Sequence, residues 1–220
     1  MPQIVPNRFL VRVAHPCPFV KNMPQDTDKH DNLIDLPESA RIENFAALDE
    51  QRNFADVRLG WNEFGIGVQV EVKGKQQAAV GDSDKPKHSD GLWLFLDTRD
   101  ARASHRGSRF CHHFMFLAAG GGADKDEPFV AQAKINAPSK TPPCREPRRC
   151  ALSWRAYQGR LSTSKRSCQP HLRLDPQEHP RLGVYYVVRD QELGDQFLNV
   201  NWEFPFTDDP SLWAVLELVR

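Results

Sequence analysis

Two apolar runs of strand length constrain this chain more than any other feature. They are Asp90-Gly91-Leu92-Trp93-Leu94-Phe95-Leu96-Asp97 and, after a polar link, Arg109-Phe110-Cys111-His112-His113-Phe114-Met115-Phe116-Leu117. Runs of this length, rich in aromatics and separated by a charged, serine-containing connection, predict two paired central strands. Side chains alternate across a strand, so Leu92, Leu94 and Leu96 share one face and Trp93 and Phe95 share the other. The first face is an aliphatic wall for a core. The second is aromatic and has to be either covered or used.

The same period of two recurs along the chain. Ala55 to Trp61 alternates, turns at Asn62-Glu63-Phe64-Gly65 and resumes from Ile66 to Lys73. This predicts a β-hairpin with Val57, Leu59, Trp61, Ile66, Val68, Val70 and Val72 inward and Arg58, Gln69 and Glu71 outward. Further strands are predicted at 8–13, 130–135, 171–174, 182–189, 197–204 and 212–219, a strand and turn at 154–161, and short helical turns at 36–41 and 45–48. His15-Pro16-Cys17-Pro18 reads as an extended turn, because proline restricts itself and its predecessor. Residues 74–89 and 138–149 read as loops, the second with four prolines in twelve residues. Many short strands without a long helix predict an all-β, antiparallel two-sheet β-sandwich, of jelly-roll or immunoglobulin-like type with long loops, as a single domain over residues 1–220.

Composition narrows the function classes. Lysine plus arginine (29) balance aspartate plus glutamate (29), so no net field favours nucleic acid or an anionic membrane surface. The first residues lack the basic start and apolar segment of a secretory signal, and no apolar run reaches the roughly 18 residues of a membrane span. A soluble, cytoplasmic protein is expected. The five cysteines are Cys17, Cys111, Cys144, Cys150 and Cys168. Cys144 and Cys150 are close enough to bond, but a cytoplasmic setting predicts thiols. Gly120-Gly121-Gly122 is a flexible turn and not a phosphate loop, since no Lys-Ser/Thr follows at the required spacing.

The order of segments resembles the family 9 carbohydrate-binding modules and the broader DOMON-like β-sandwiches. Two stretches carry the resemblance: the hairpin Val57 to Val70, with Trp61-Asn62-Glu63 at its turn, and the Asp-led apolar strand Asp90 to Asp97. The late strand Gly183 to Asp190, Trp202 and Leu212 to Leu218 follow in the family's order, so the likeness spans roughly residues 35–219. It implies a two-sheet antiparallel sandwich and non-catalytic glycan binding, with aromatic rings clamping a sugar and polar groups fixing its hydroxyls. The resembled family also includes calcium sites, and Asp82, Asp84, Asp97 and Asp100 offer oxygen ligands for a structural calcium, with Asp97 and Asp100 as the metal candidates; no other cofactor is expected. The chain departs from the family at Trp93, where the family strand usually carries an acid, and in the inserts at 74–89 and 138–170.

Read from the residues themselves, Trp93 and Phe95 form the ligand platform, because an aromatic face stacks on the apolar C–H surface of a sugar. The alternative is burial beneath a loop such as 138–170. Arg109 and His113 would flank that platform, and Trp202, beside Asn199, Asn201 and Glu203, is a second clamp. The group His88, His105, Cys111, His112 and His113 holds zinc-type ligands, but Cys111 and His113 share a strand face that His112 does not. Asp97 and Asp100 near His105 define the competing reading, a carbohydrate-active hydrolase or lyase. A structural or interaction sandwich with no small ligand is the third.

Overall fold

The computed structural model describes residues 5–21, 35–63, 65–133, 135, 152–155, 160–163 and 175–220. Within them lie β1 (Ala14–Pro18), β2 (Ala55–Asn62), β3 (Gly65–Val72), β4 (Gly91–Asp97), β5 (Cys111–Gly121), β6 (Glu127–Ala133), β7 (Leu152–Arg155), β8 (Arg160–Thr163), β9 (Arg181–Asp190), β10 (Gly194–Phe197) and β11 (Ala214–Val219). One sheet runs β1-β11-β9-β4-β5-β6, with β10 added to β9; the other runs β2-β3-β8-β7. Helical structure among the described residues is confined to 3-10 turns, including Glu38–Ala40 and Ala46–Asp49 where helical turns are expected. The protein is an all-β two-sheet sandwich.

β4 is the axis of the larger sheet, paired antiparallel with β5 on one side and β9 on the other. Residues opposite each other in a ladder share a face. The leucine face of β4 therefore continues through Phe114 and Phe116 of β5 and Val184, Tyr186 and Val188 of β9. These residues are buried in one cluster with Val57, Leu59, Val68 and Val70 of the hairpin. Polar stitches close this interface. Gln196 Oε1 accepts from the backbone N–H of Phe54 at 2.7 Å and of Ala55 at 2.8 Å, and Asn44 Nδ2 donates to Tyr186 Oη at 3.0 Å. Buried polar groups are thereby satisfied rather than stranded. Gly91 is required where β5 passes closest, because a Cβ there would lie 2.1 Å from the carbonyl oxygen of Phe116.

The hairpin has the expected register, with Val57 opposite Val70, Leu59 opposite Val68 and Trp61 opposite Ile66. Its other face is not solvent, however. Gln69, expected outward, is 1% exposed and accepts the Leu36 N–H at 2.7 Å, because the segment from Leu36 to Ile42 lies across this face. Arg58 on the same face pairs with Asp56 at 3.1 Å.

Three further expectations are corrected. Residues 8–13 do not form a strand: Asn7–Leu10 is a 3-10 turn, and the strand is the proline-containing stretch Ala14–Pro18. It lies on the sheet edge, where a missing N–H costs no ladder bond. It also pairs parallel with β11, and just beyond it Phe19 makes an isolated parallel bridge to Trp61; the other strand ladders among the described residues are antiparallel. The strand expected over 197–204 ends at Phe197, and the chain from Leu198 to Trp213 turns back across the aromatic face of β4. The loop expected at 138–149, the strand expected at 171–174 and Cys144, Cys150 and Cys168 lie outside the described residues.

The loop after β3 is pinned by a buried ion group. Lys75 Nζ lies 3.0 Å from Asp90 Oδ2 and 2.9 Å from Asp190 Oδ2, joining the start of β4 to the end of β9.

Candidate functional site

The outer face of the larger sheet is aromatic, as the alternation in β4 predicts. Ladder partners place Phe95 beside His113 and Tyr185, and Trp93 beside Met115 and Val187. Phe95 is fully buried: His113 stacks on it at 4.0 Å, and Phe206 and Trp213 from the returning segment close over it at 5.8 and 5.7 Å. Tyr185 donates its hydroxyl to the Val200 carbonyl, tying that segment to β9. Trp93 is 4% exposed. The expected platform of Trp93 and Phe95 is thus covered, and the cover is residues 198–213.

The ring left open on this face is Trp202, 46% exposed. It meets Trp93 edge-on at 5.7 Å, Phe197 edge-on at 5.4 Å and Phe206 at a tilt at 5.1 Å. Its indole Nε1 donates to Asp195 Oδ2 at 2.7 Å. Asp195 stands opposite Arg189 in the β9–β10 ladder and accepts from Arg189 Nε at 3.2 Å. The Arg189 guanidinium in turn lies 5.0 Å from the ring centre of Trp93 and 5.2 Å from that of Trp202, within cation–π range of both. A large apolar ring is therefore held at the surface in one orientation, beside a cation and a carboxylate that neutralise each other.

Beneath it, two polar atoms lack partners among the described residues: Trp93 Nε1 and His113 Nε2, both buried. The two rings are 5.1 Å apart. Burial lowers the His113 pKa from 6.5 to about 4, so the imidazole is neutral at ordinary pH.

Of the candidate residues, the fold brings together Trp93, Phe95, His113 and Trp202. It leaves Arg109 apart. Arg109 lies in the turn before β5, exposed, with its guanidinium 4.8 Å over Phe110, while the β5 residue beside Trp93 is Met115. At about 3.3 Å per residue, the strand from Cys111 to Met115 alone sets it back by roughly 13 Å. The cationic place beside Trp93 belongs to Arg189.

Asp97 and Asp100 serve the turn that follows β4. Asp97 accepts from the N–H groups of Arg99 at 3.0 Å and Ala101 at 2.7 Å, and Asp100 pairs with Arg102 at 2.7 Å. His105 faces Ser211 Oγ at 3.0 Å on the exposed side. His112 points to the opposite face from His113, where its Nδ1 meets Gln132 Nε2 at 3.1 Å. Among the described residues no group of three or more His, Cys, Asp or Glu side chains is placed to hold a metal ion.

Arg189 and Asp195 are the site residues that sequence reasoning does not assign. Their signal is the alternation Tyr185, Val187, Arg189 along β9. That signal acquires meaning only once β9 lies against β4 and β10 returns along it.

Neither a protein-family model nor a curated protein sequence matches the chain. Among solved structures, it is similar to a family 9 carbohydrate-binding module from Caldicellulosiruptor kristjanssonii in complex with cellotriose. The TM-score is 0.54 at 13% sequence identity, covering 94% of each chain. The chain shares its fold with that module. A family 9 module from the same organism in complex with glucose matches with a TM-score of 0.49 at 14% identity, over 74% of this chain and 75% of that one.

Proposed function

We propose that the protein is a non-catalytic carbohydrate-binding module that takes a neutral sugar on the outer face of its larger sheet, against Trp202. One observation carries this reading: an indole that is half in solvent is nevertheless fixed by a hydrogen bond to Asp195 and by contacts with three other aromatic rings. A large exposed apolar ring has no stabilising role that needs such mounting, whereas stacking on the C–H face of a sugar does. Arg189 and Asp195 stand beside the ring as donor and acceptor for hydroxyl groups. Trp93 Nε1 and His113 Nε2 supply further unmet polar atoms in the layer below. The module that shares this fold is in complex with cellotriose, which supports a sugar as the class of ligand.

The carboxylates that a hydrolytic reading requires are already engaged, Asp97 by backbone N–H groups and Asp100 by Arg102, which supports binding without turnover. A single stacked ring with a few hydroxyl contacts gives a dissociation constant of about millimolar to micromolar. Calorimetric titration of the full chain with glucose and cellotriose should find binding in that range, and Trp202→Ala should lower it at least about tenfold. Unchanged affinity in that variant overturns the assignment of Trp202.

A further inference from the structure

A polar cavity of about 460 Å³ adjoins the Trp202 mounting, walled in part by the turns Asn7–Leu10 and Ala46–Asp49 and by β10. Among the described strands β10 pairs only with β9. On its other side the chain carbonyl of Phe197 is met by Asn44 Nδ2 at 2.9 Å and Arg8 Nη1 at 3.3 Å. The cavity thus lies along an unpaired strand edge that side chains hold open. Its volume falls in the range of small-ligand sites, roughly 300–1,000 Å³.

The wall is polar but electrically balanced. Arg8 is neutralised by Asp49 at 3.2 Å and Asp195 by Arg189 at 3.2 Å. Glu50 and Arg52 add one charge of each sign, and Asn7, Gln51 and Asn201 contribute amides. A wall of amides and cancelling charges suits an uncharged, hydroxyl-rich group. A phosphate or carboxylate ligand would instead call for an excess of cations.

Three wall residues also belong to the platform. Asp195 carries the hydrogen bond that fixes Trp202, Phe197 meets its ring edge-on, and Asn201 precedes it in the chain. The platform and the cavity therefore share a border. We propose that the cavity is a second sugar subsite, which takes the unit next to the one stacked on Trp202, so that the protein selects a neutral oligosaccharide over a single ring. This inference rests on the Trp202 reading.

The test is titration of the full chain with glucose, cellobiose and cellotriose, with two variants alongside. Gln51→Ala/Arg52→Ala removes two exposed wall side chains, and Trp202→Ala removes the platform. One added unit making one or two neutral hydrogen bonds should raise affinity about tenfold from glucose to cellobiose in the wild type. In the double variant that ratio should fall close to one, with the melting temperature retained. Side-chain amide resonances of Asn7 and Gln51 in the wild type should shift with cellobiose and stay still with glucose. A wild-type ratio near one, or a ratio that survives in the double variant, overturns the second subsite while leaving the platform intact. Full glucose affinity in Trp202→Ala removes the platform, and absence of binding to all three sugars overturns both.

Discussion

Trp202 Nε1 donates to Asp195 Oδ2 at 2.7 Å while the other oxygen of that carboxylate accepts from Arg189 at 3.2 Å, so one side chain sets the attitude of both the open ring and the cation beside it. Asp195→Ala should free the indole to rotate and let the guanidinium leave its place between Trp93 and Trp202. Sugar affinity should then fall about tenfold with little change in melting temperature, since both partners are partly solvated. Calorimetry and tryptophan fluorescence anisotropy measure the two effects; retained affinity with a mobile indole would show that the mounting is dispensable.

Trp93 and Trp202 should separate in stability. Trp93 is 4% exposed, and Trp93→Ala should cost about 3–5 kcal/mol of folding free energy. Trp202, at 46% exposed, should cost about half of that or less. Urea denaturation of the two variants decides it. A small loss at Trp93 would mean that the segment 198–213 does not cover it in solution.

Acid should destabilise the fold before most carboxylates titrate. Burial lowers both His15 and His113 from 6.5 to about 4, so the folded state holds them neutral. The unfolded chain takes up a proton at each as pH falls below 6.5, and the folded chain does so only near 4. Stability is therefore fully present above pH 6.5 and is lost as pH drops from there toward 4, by about 3 kcal/mol per histidine. His113→Phe, which keeps a ring against Phe95, should remove roughly half of that loss. Urea midpoints at pH 7.5, 5.5 and 4.5 for both proteins measure it, and equal slopes would show that His113 titrates normally.

Lys75 sits between two almost fully buried carboxylates, Asp90 and Asp190. Lys75→Met leaves both without their cation, which should cost about 3–5 kcal/mol at pH 7. Guanidinium melts of the variant and the wild type at pH 7 test this; a loss below about 1 kcal/mol would show that the lysine does not hold the two carboxylates in place.

The strands that follow local alternation are legible in the sequence. The two faces of β4, its pairing with β5 and the hairpin register all appear as expected, because periodicity alone places a residue on a face. What periodicity does not contain is which strand lies alongside and what folds back on top. Arg109 was expected beside Trp93 on the assumption of simple proximity along the second apolar run, but the antiparallel register puts Met115 there and brings Arg189 from the opposite neighbour. Gln69 looks outward by parity and is buried by a segment that meets it at Leu36, 33 positions earlier. The polar neighbours of Trp202 alone mark it as a clamp; its hydrogen bond to Asp195 depends on a turn between β10 and the returning chain that no short motif encodes.

The parallel pairing of β1 with β11 joins the first and last described strands of the larger sheet. Residue pairs so distant along the chain carry the largest loop-closure penalty and add to a high contact order. The seam between them can close only when β11 has been synthesised, after the rest of the sandwich is available to fold. Peeling from this edge is accordingly a low-cost local opening, and the amide hydrogen of Phe19, which donates to the Val219 carbonyl at 2.8 Å at the end of the seam, should exchange ahead of those in β4.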